Sequence, residues 1–206
     1  MKLHIEFESS DILAVKSVIK QYPAEWRYKE NVIEEPSYID DDTLWITHMR
    51  CLLTTQQRSG KGSSINTFLS GKPFPLSLDS CRQSSDLRAM AFQLLTDAKG
   101  IRRTNKIANA VYKNLARLES GEWTGLYQWR DKLLAQRKTA YHPSHRVLEE
   151  EAADYMDQFS EFGPKQSRNF WQLLGLTRYV FVLDSRVISW SHQHLQFAKG
   201  LLTSSG

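Results

Sequence analysis

Nearly every stretch of this sequence repeats its apolar residues at helical spacing, and almost none alternates them as a half-buried strand does. The pattern predicts helices near 10–21, 43–57, 63–70, 86–98, 104–119, 125–137, 144–158, 164–175 and 185–198, and it sets the fold class as all-α. Segment 104–119 is the clearest, with Ile107, Val111, Leu115 and Leu118 on one face, the stripe of a helix packed on a core. Asp42 or Thr43, and Ser85 or Asp86, can accept the orphan N–H groups of a first helical turn, and Pro164 suits a first turn because only an unbonded N–H is lost there. The loops around 71–80 and 137–145 interrupt the pattern. YVFVLD, 179–184, suits a strand by composition, and a single such run makes no sheet.

A chain of 206 residues makes one full-sized domain or two small lobes sharing a cleft. Its 41% hydrophobic and 24% charged residues exclude the disordered, collagenous and disulfide-stapled classes. Cys51 and Cys81 are too few for a four-cysteine zinc or iron–sulfur site and read as buried thiols of a reducing compartment. No run approaches the roughly 18–20 apolar residues that span a bilayer, and MKLHIEFESSDIL lacks the apolar core of a signal peptide, so a cytoplasmic protein without a membrane partner is expected.

The net charge is only +4, from 27 basic and 23 acidic groups, and its distribution says more than its sum. Glu30, Glu34, Glu35, Asp40, Asp41 and Asp42 crowd around Pro36 as a solvated connector. Residues 98–118 carry Lys99, Arg102, Arg103, Lys106, Lys113 and Arg117 without one carboxylate, a local positive field suited to a polyanion. The pairs His142/His145 and His192/His194 lack convincing further ligands, so no metal site and no cofactor is expected. SGKGSS, 59–64, lacks the spacing of a nucleotide-triphosphate loop.

The segment richest in chemistry is FSEFGPKQSRNFWQLLGLTRYVFVLDSRVI, 159–188. Gly163 can supply a tight turn between a helix ending near Phe159 and one starting at Pro164. The unsatisfied N–H groups of the second helix suit a phosphate oxygen, with Lys165 beside them and roughly opposite the apolar face of Phe170, Leu173 and Leu174. Asp184 reads as an N-cap ahead of SRVISW, a role compatible with catalysis. Phe162 reads as a wedge or as a buried anchor, and Gln56 and Gln57 as the end of a helix or as a contact surface.

These residues resemble the helix-hairpin-helix DNA glycosylases, in particular their lysine-bearing 8-oxoguanine branch. The family hairpin runs approximately L-P-G-V-G-x-K-x-A, with a catalytic aspartate at the end of an apolar run further on. Gly163, Pro164, Lys165 and Ser167 match its second half, and FVLD brings Asp184 to the aspartate's position. CLLTTQQ is similar to the family's L-L-S-x-Q segment, and GIRRTNKIANAVYKNL, 100–115, to its G-hy-x-x-K-A-x-x-I helix. The landmarks stand in family order over residues 43–198. Two positions depart: Glu161 stands where the hairpin's first glycine belongs and Ser160 where a proline is usual, while TSSG offers no counterpart to the C-terminus with which archaeal relatives hold the damaged base.

The resemblance implies a single two-lobed unit, with lobe A near 1–42 plus 160–206, lobe B near 43–159, a hairpin near 150–175 and the active site in the cleft between lobes. It implies a monomer acting on double-stranded DNA that contains a damaged base, nucleoid-associated in a bacterial or archaeal cell. The reaction implied is excision of a damaged purine, 8-oxoguanine, with Schiff-base AP lyase activity. Lys165 and Asp184 would be catalytic, with Arg168 favouring the neutral amine. Gln56, or Gln57, would fill the gap left by the extruded base, and Arg58, Lys61, Arg102, Arg103, Lys106, Phe162, Gly163, Arg168 and Arg186 would complete the DNA contacts. Two alternatives stand beside it: a glycosylase for an alkylated or hypermodified base, and a non-catalytic helix-hairpin-helix DNA-binding protein, which Glu161 favours.

Overall fold

The computed structural model describes residues 9–21, 36, 38–180, 182, 189–190 and 193–194. The chain divides into two compact units, Met1–Lys29 with Val182–Gly206, and Glu30–Phe181. In the first unit, α1 spans Ser9–Gln21, buries Asp11 and exposes Ile12 and Leu13; Trp190 and His194 stack with ring centroids 5.0 Å apart.

The larger unit contains α2 (Asp41–Leu53), α3 (Ser64–Leu69), α4 (Leu78–Gln83), α5 (Leu87–Asp97), α6 (Thr104–Arg117), α7 (Trp123–Arg137), α8 (Pro143–Met156) and α9 (Pro164–Leu173). Among the described residues there is no strand; Tyr179 and Val180 are irregular backbone, and the rest of the strand-like run lies largely outside those residues. Nor is any described helix long and apolar enough to cross a membrane.

Local chemistry sets these boundaries. Asp40, Ser63, Ser77 and Asp86 each accept a backbone N–H in the first turn of the following helix, from Thr43, Asn66, Ser80 and Ala89. Pro143 and Pro164 occupy first turns, where a missing N–H costs nothing. Helix α2 stops at Leu53, short of the expected 57, because Gln56 takes a left-handed conformation at φ 56. Helix α4 lies where the sequence pattern shows a loop: six residues are too few to display a period. Between α6 and α7 a π-turn, Leu118–Glu122, kinks at Gly121, whose φ of 123 favours glycine.

The expected stripe of α6 is buried in full: Ile107, Val111, Leu115 and Leu118 face the core, together with Asn114. Helix α6 packs on α5 and α2, α4 on α2, and α7 on α8. Trp45 donates its indole N–H to Leu76 O at 2.9 Å, and Trp171 donates to Ala152 O at 2.7 Å, so each large ring is buried without an orphan donor. Both cysteines are buried thiols. Helix α9 packs on α8 and α2, which keeps residues 160–181 with the middle helices rather than with the chain termini. On α9 the inward face is Phe170, Trp171 and Leu174; Leu173, expected there, is 37% exposed.

Candidate functional site

The hairpin α8–turn–α9 is cross-linked from within. Ser167 donates its hydroxyl to Asp157, which caps the end of α8, and Ser167 N–H bonds Gly163 O at 3.0 Å. The left-handed corner of the turn falls on Glu161, at φ 65, and not on Gly163, which is extended at φ −147 and ψ 177. A Cβ on Gly163 would meet no described residue within 4 Å, so neither backbone angle nor packing among the described residues demands glycine there. Glu161 thus adopts the conformation for which a glycine is favoured, in the very position where the resembled motif carries one.

Asn114 fixes the turn from outside. Its Oδ1 accepts Ser160 N–H at 2.7 Å, and its Nδ2 donates to Ser160 O at 3.0 Å and pairs with His48 Nε2 at 2.9 Å. Because the amide nitrogen can only donate, Nε2 accepts and the ring proton sits on Nδ1, which has no hydrogen-bond partner among the described residues. Burial pushes the His48 imidazole down to about 3, so the ring is neutral. It packs as an aromatic against Trp45, Phe159, Phe162 and Phe170. The Phe162 centroid lies 4.5 Å from that of His48; of its two expected roles, the half-buried Phe162 fills the anchor's, and its ring is spent inside the protein.

Two further segments converge on this hairpin. Gln57 donates Nε2 to Leu53 O at 2.7 Å and accepts Arg102 N–H on Oε1 at 2.9 Å, while Arg102 donates its guanidinium to Gln56 O at 2.6 Å. Arg103, left-handed at φ 64 and heading α6, reaches Thr55 O at 3.5 Å and forms an ion pair with Glu161. From α9, Gln166 donates to Thr55 Oγ1 at 2.7 Å. The turn after α2, the corner before α6 and the start of α9 are therefore one hydrogen-bonded surface, with Gln56 and Arg102 exposed on it. Gly100 holds that corner at φ 79, where a Cβ would lie 2.5 Å from Ser64 Oγ.

Lys165 is exposed at the second position of α9, and its charge, like that of Arg50, draws down the buried Cys51 thiol, which desolvation pushes up to about 12. Arg58 and Lys61 are exposed in the loop after Gln57, and Lys106 is exposed on α6. Arg168 turns to α8, donating to Glu150 and to Pro164 O at 2.8 Å, so its charge is partnered by a carboxylate and not left to act on Lys165 alone. Asp184 and Arg186 lie outside the described residues.

Asn114 holds this surface and Glu149 holds the segment after α9, and neither is among the expected site residues. Asn114 was detectable as an amide inside the apolar stripe of α6. Glu149 is 1% exposed, and burial raises its carboxyl above the usual range against the pull of three backbone N–H groups, those of Arg178, Tyr179 and Val180 at 2.9, 2.7 and 2.9 Å. It pins the segment that runs on toward position 184; only its register with His145, Ala152 and Ala153 sets it apart from Glu150 and Glu151.

No family model, curated protein or solved structure matches the chain.

Proposed function

We propose that the chain is a helix-hairpin-helix DNA glycosylase that extrudes a damaged purine, 8-oxoguanine, excises it and nicks the strand through Lys165. The observation that carries this reading is the hydrogen-bonded surface joining Thr55, Gln56 and Gln57, Arg102 and Arg103, and Glu161 with Gln166. These segments are distant in sequence, and each lies in a stretch that resembles a separate motif of the family.

In this reading the exposed Gln56 fills the gap left by the extruded base, whose unstacking costs roughly a few kcal/mol. Arg102, Arg58, Lys61 and Lys106 neutralise phosphates, and the N–H groups opening α9 approach one more across the open space at Gly163. Asp184 stabilises the positive charge that develops on the sugar. The neutral Lys165 amine bonds to C1′ as the glycosidic bond breaks; its electron pair leaves with the base, which takes up a proton. The bound amine then loses a proton and the C1′–O4′ bond breaks, O4′ taking up a proton; the iminium so formed loses a C2′ proton and expels the 3′ phosphate.

Borohydride reduction during turnover on duplexes carrying 8-oxoguanine should trap the protein covalently, and Lys165→Ala should abolish trapping. Retained trapping by that variant removes Lys165 from its role, and trapping on a different lesion alone reassigns the substrate to an alkylated or hypermodified base. The Glu161 carboxylate in the hairpin turn favours a second reading, a non-catalytic DNA-binding protein. Salt-dependent DNA binding without release of any base across a lesion panel is its signature.

A further inference from the structure

At the opposite end of α2 from the Thr55–Gln57 turn, a recess of about 370 Å³ opens between the chain entering α2, the last turns of α7 and the segment after α9. The 13 residues of α2 separate the two places by about 20 Å at 1.5 Å of rise per residue. The recess is amphipathic. Pro36, Tyr38, Ile39 and Leu134 line it with apolar surface, and Arg130, Arg137, Lys138 and Arg178 bring four cations against one carboxylate, Asp131.

The basic groups are held and unequally satisfied. Arg130 uses Nε on Asp131 at 2.8 Å and a terminal nitrogen on Ile39 O at 3.0 Å, so the one carboxylate among the described lining residues is already taken. Arg137 donates to Gly175 O. Arg178 is different: among the described residues its side chain makes a single long bond, 3.5 Å to Arg137 O, and its Nε is buried with no hydrogen-bond partner. A buried guanidinium donor without an acceptor costs free energy that a bound anion would recover. The Arg178 backbone is fixed by the buried Glu149, at 2.9 Å, so the group is placed in advance of any ligand. At 87% exposure the Tyr38 ring has a face free of packing.

We propose that this recess binds a small phosphate ester, its phosphate on Arg178 and Lys138 and its organic body against Tyr38 and Leu134. The volume is within the range of small-ligand sites and larger than a bare phosphate fills, and among the described lining residues Lys138 and the weakly bonded Arg178 offer positive charge to a phosphate. It is separate from the DNA surface proposed above and does not depend on that reading.

Isothermal titration of the full chain with deoxyadenosine monophosphate, inorganic phosphate and deoxyadenosine tests it. The monophosphate should bind saturably, about tenfold or more tighter than either of its halves, as expected when ionic and apolar contacts are made together. Arg178→Gln should weaken the ester and inorganic phosphate alike by about tenfold or more, with an unchanged circular dichroism spectrum and thermal midpoint. Tyr38→Ala should weaken the ester and leave inorganic phosphate unchanged. Absence of saturable binding by both phosphate compounds overturns the proposal. So does binding that survives in Arg178→Gln and in Lys138→Gln, or that is lost in Arg102→Gln, which would assign it to the other end of α2.

Discussion

The carboxamide of Asn114 and the peptide groups of Ser160 are joined by two hydrogen bonds, of 2.7 and 3.0 Å, that tie the middle of α6 to the corner of the helical hairpin. A peptide N–H and C=O that turn away from their own helix are satisfied by one side chain placed inside an apolar stripe. Removing that side chain strands two backbone groups and leaves His48 Nε2 unpaired. Asn114→Ala should therefore destabilise the protein by about 2–4 kcal/mol, well above the loss expected for trimming an ordinary surface amide. Chemical denaturation measures this, and a loss below about 0.5 kcal/mol would show that water replaces the carboxamide.

Glu161 carries two opposed contributions. A left-handed conformation costs a non-glycine residue about 1–2 kcal/mol, while its part-buried ion pair with Arg103 returns about 1–2 kcal/mol. Glu161→Gly relieves the first and loses the second, and stability should stay within about 1 kcal/mol of the parent. Glu161→Ala loses the pair and keeps the strain, so it should be the less stable of the two. Both substitutions release Arg103 and remove a negative charge from the hairpin turn. In the proposed DNA complex each should tighten duplex binding severalfold, with a steeper salt dependence, readable by fluorescence anisotropy at several salt concentrations. Unchanged affinity in both variants would take this surface out of DNA contact.

What could be read from the sequence, and what could not, follows from the range of each physical signal. The buried stripe of α6 and the cap at Asp86 are local patterns, and they appear where spacing and side-chain chemistry put them, whereas the cap of α2 falls on Asp40 and not on Asp42 or Thr43. The ends of α2 and the hairpin corner are not local in that sense: Gln56, Arg103 and Glu161 hold left-handed angles that their types disfavour, and tertiary bonds to Thr55, Arg102 and Ser160's neighbourhood fix them. Gly163 misled because glycine permits a left-handed turn without requiring one. Asn114 and Glu149 look like ordinary helical polar residues until α8, α9 and the segment at 178–180 pack around them.

In the proposed DNA complex Arg102 and Arg168 have different parts, one on DNA and one within the protein. Arg102 is exposed and braces Gln56 through its carbonyl, whereas Arg168 is committed to Glu150 on the neighbouring helix. If the proposed surface holds DNA, Arg102→Gln should weaken duplex binding by about tenfold at moderate salt and lower the slope of log K against log salt by about one phosphate contact. Arg168→Gln should leave that slope unchanged and instead lower stability by about 1–2 kcal/mol, since a half-buried charge-assisted bond is lost. Equal effects of the two variants on DNA binding would contradict the assignment.

His48 sets a pH limit on the fold. In the native state its imidazole stays neutral down to about pH 3, because burial among aromatic rings disfavours the charged form. In the unfolded chain the same ring protonates near its ordinary value of about 6.5. Below that pH the unfolded state binds the extra proton, so stability falls as pH falls, by about 1.4 kcal/mol per unit for this group, until the native ring also protonates. Between pH 6.5 and pH 5 the loss from His48 should be about 2 kcal/mol. His48→Phe keeps an aromatic ring in the cluster and leaves Asn114 bonded to Ser160, and it removes the titrating group. Urea midpoints at the two pH values should thus shift less in His48→Phe than in the parent protein; equal shifts would mean that the native ring has access to a proton that its burial denies it.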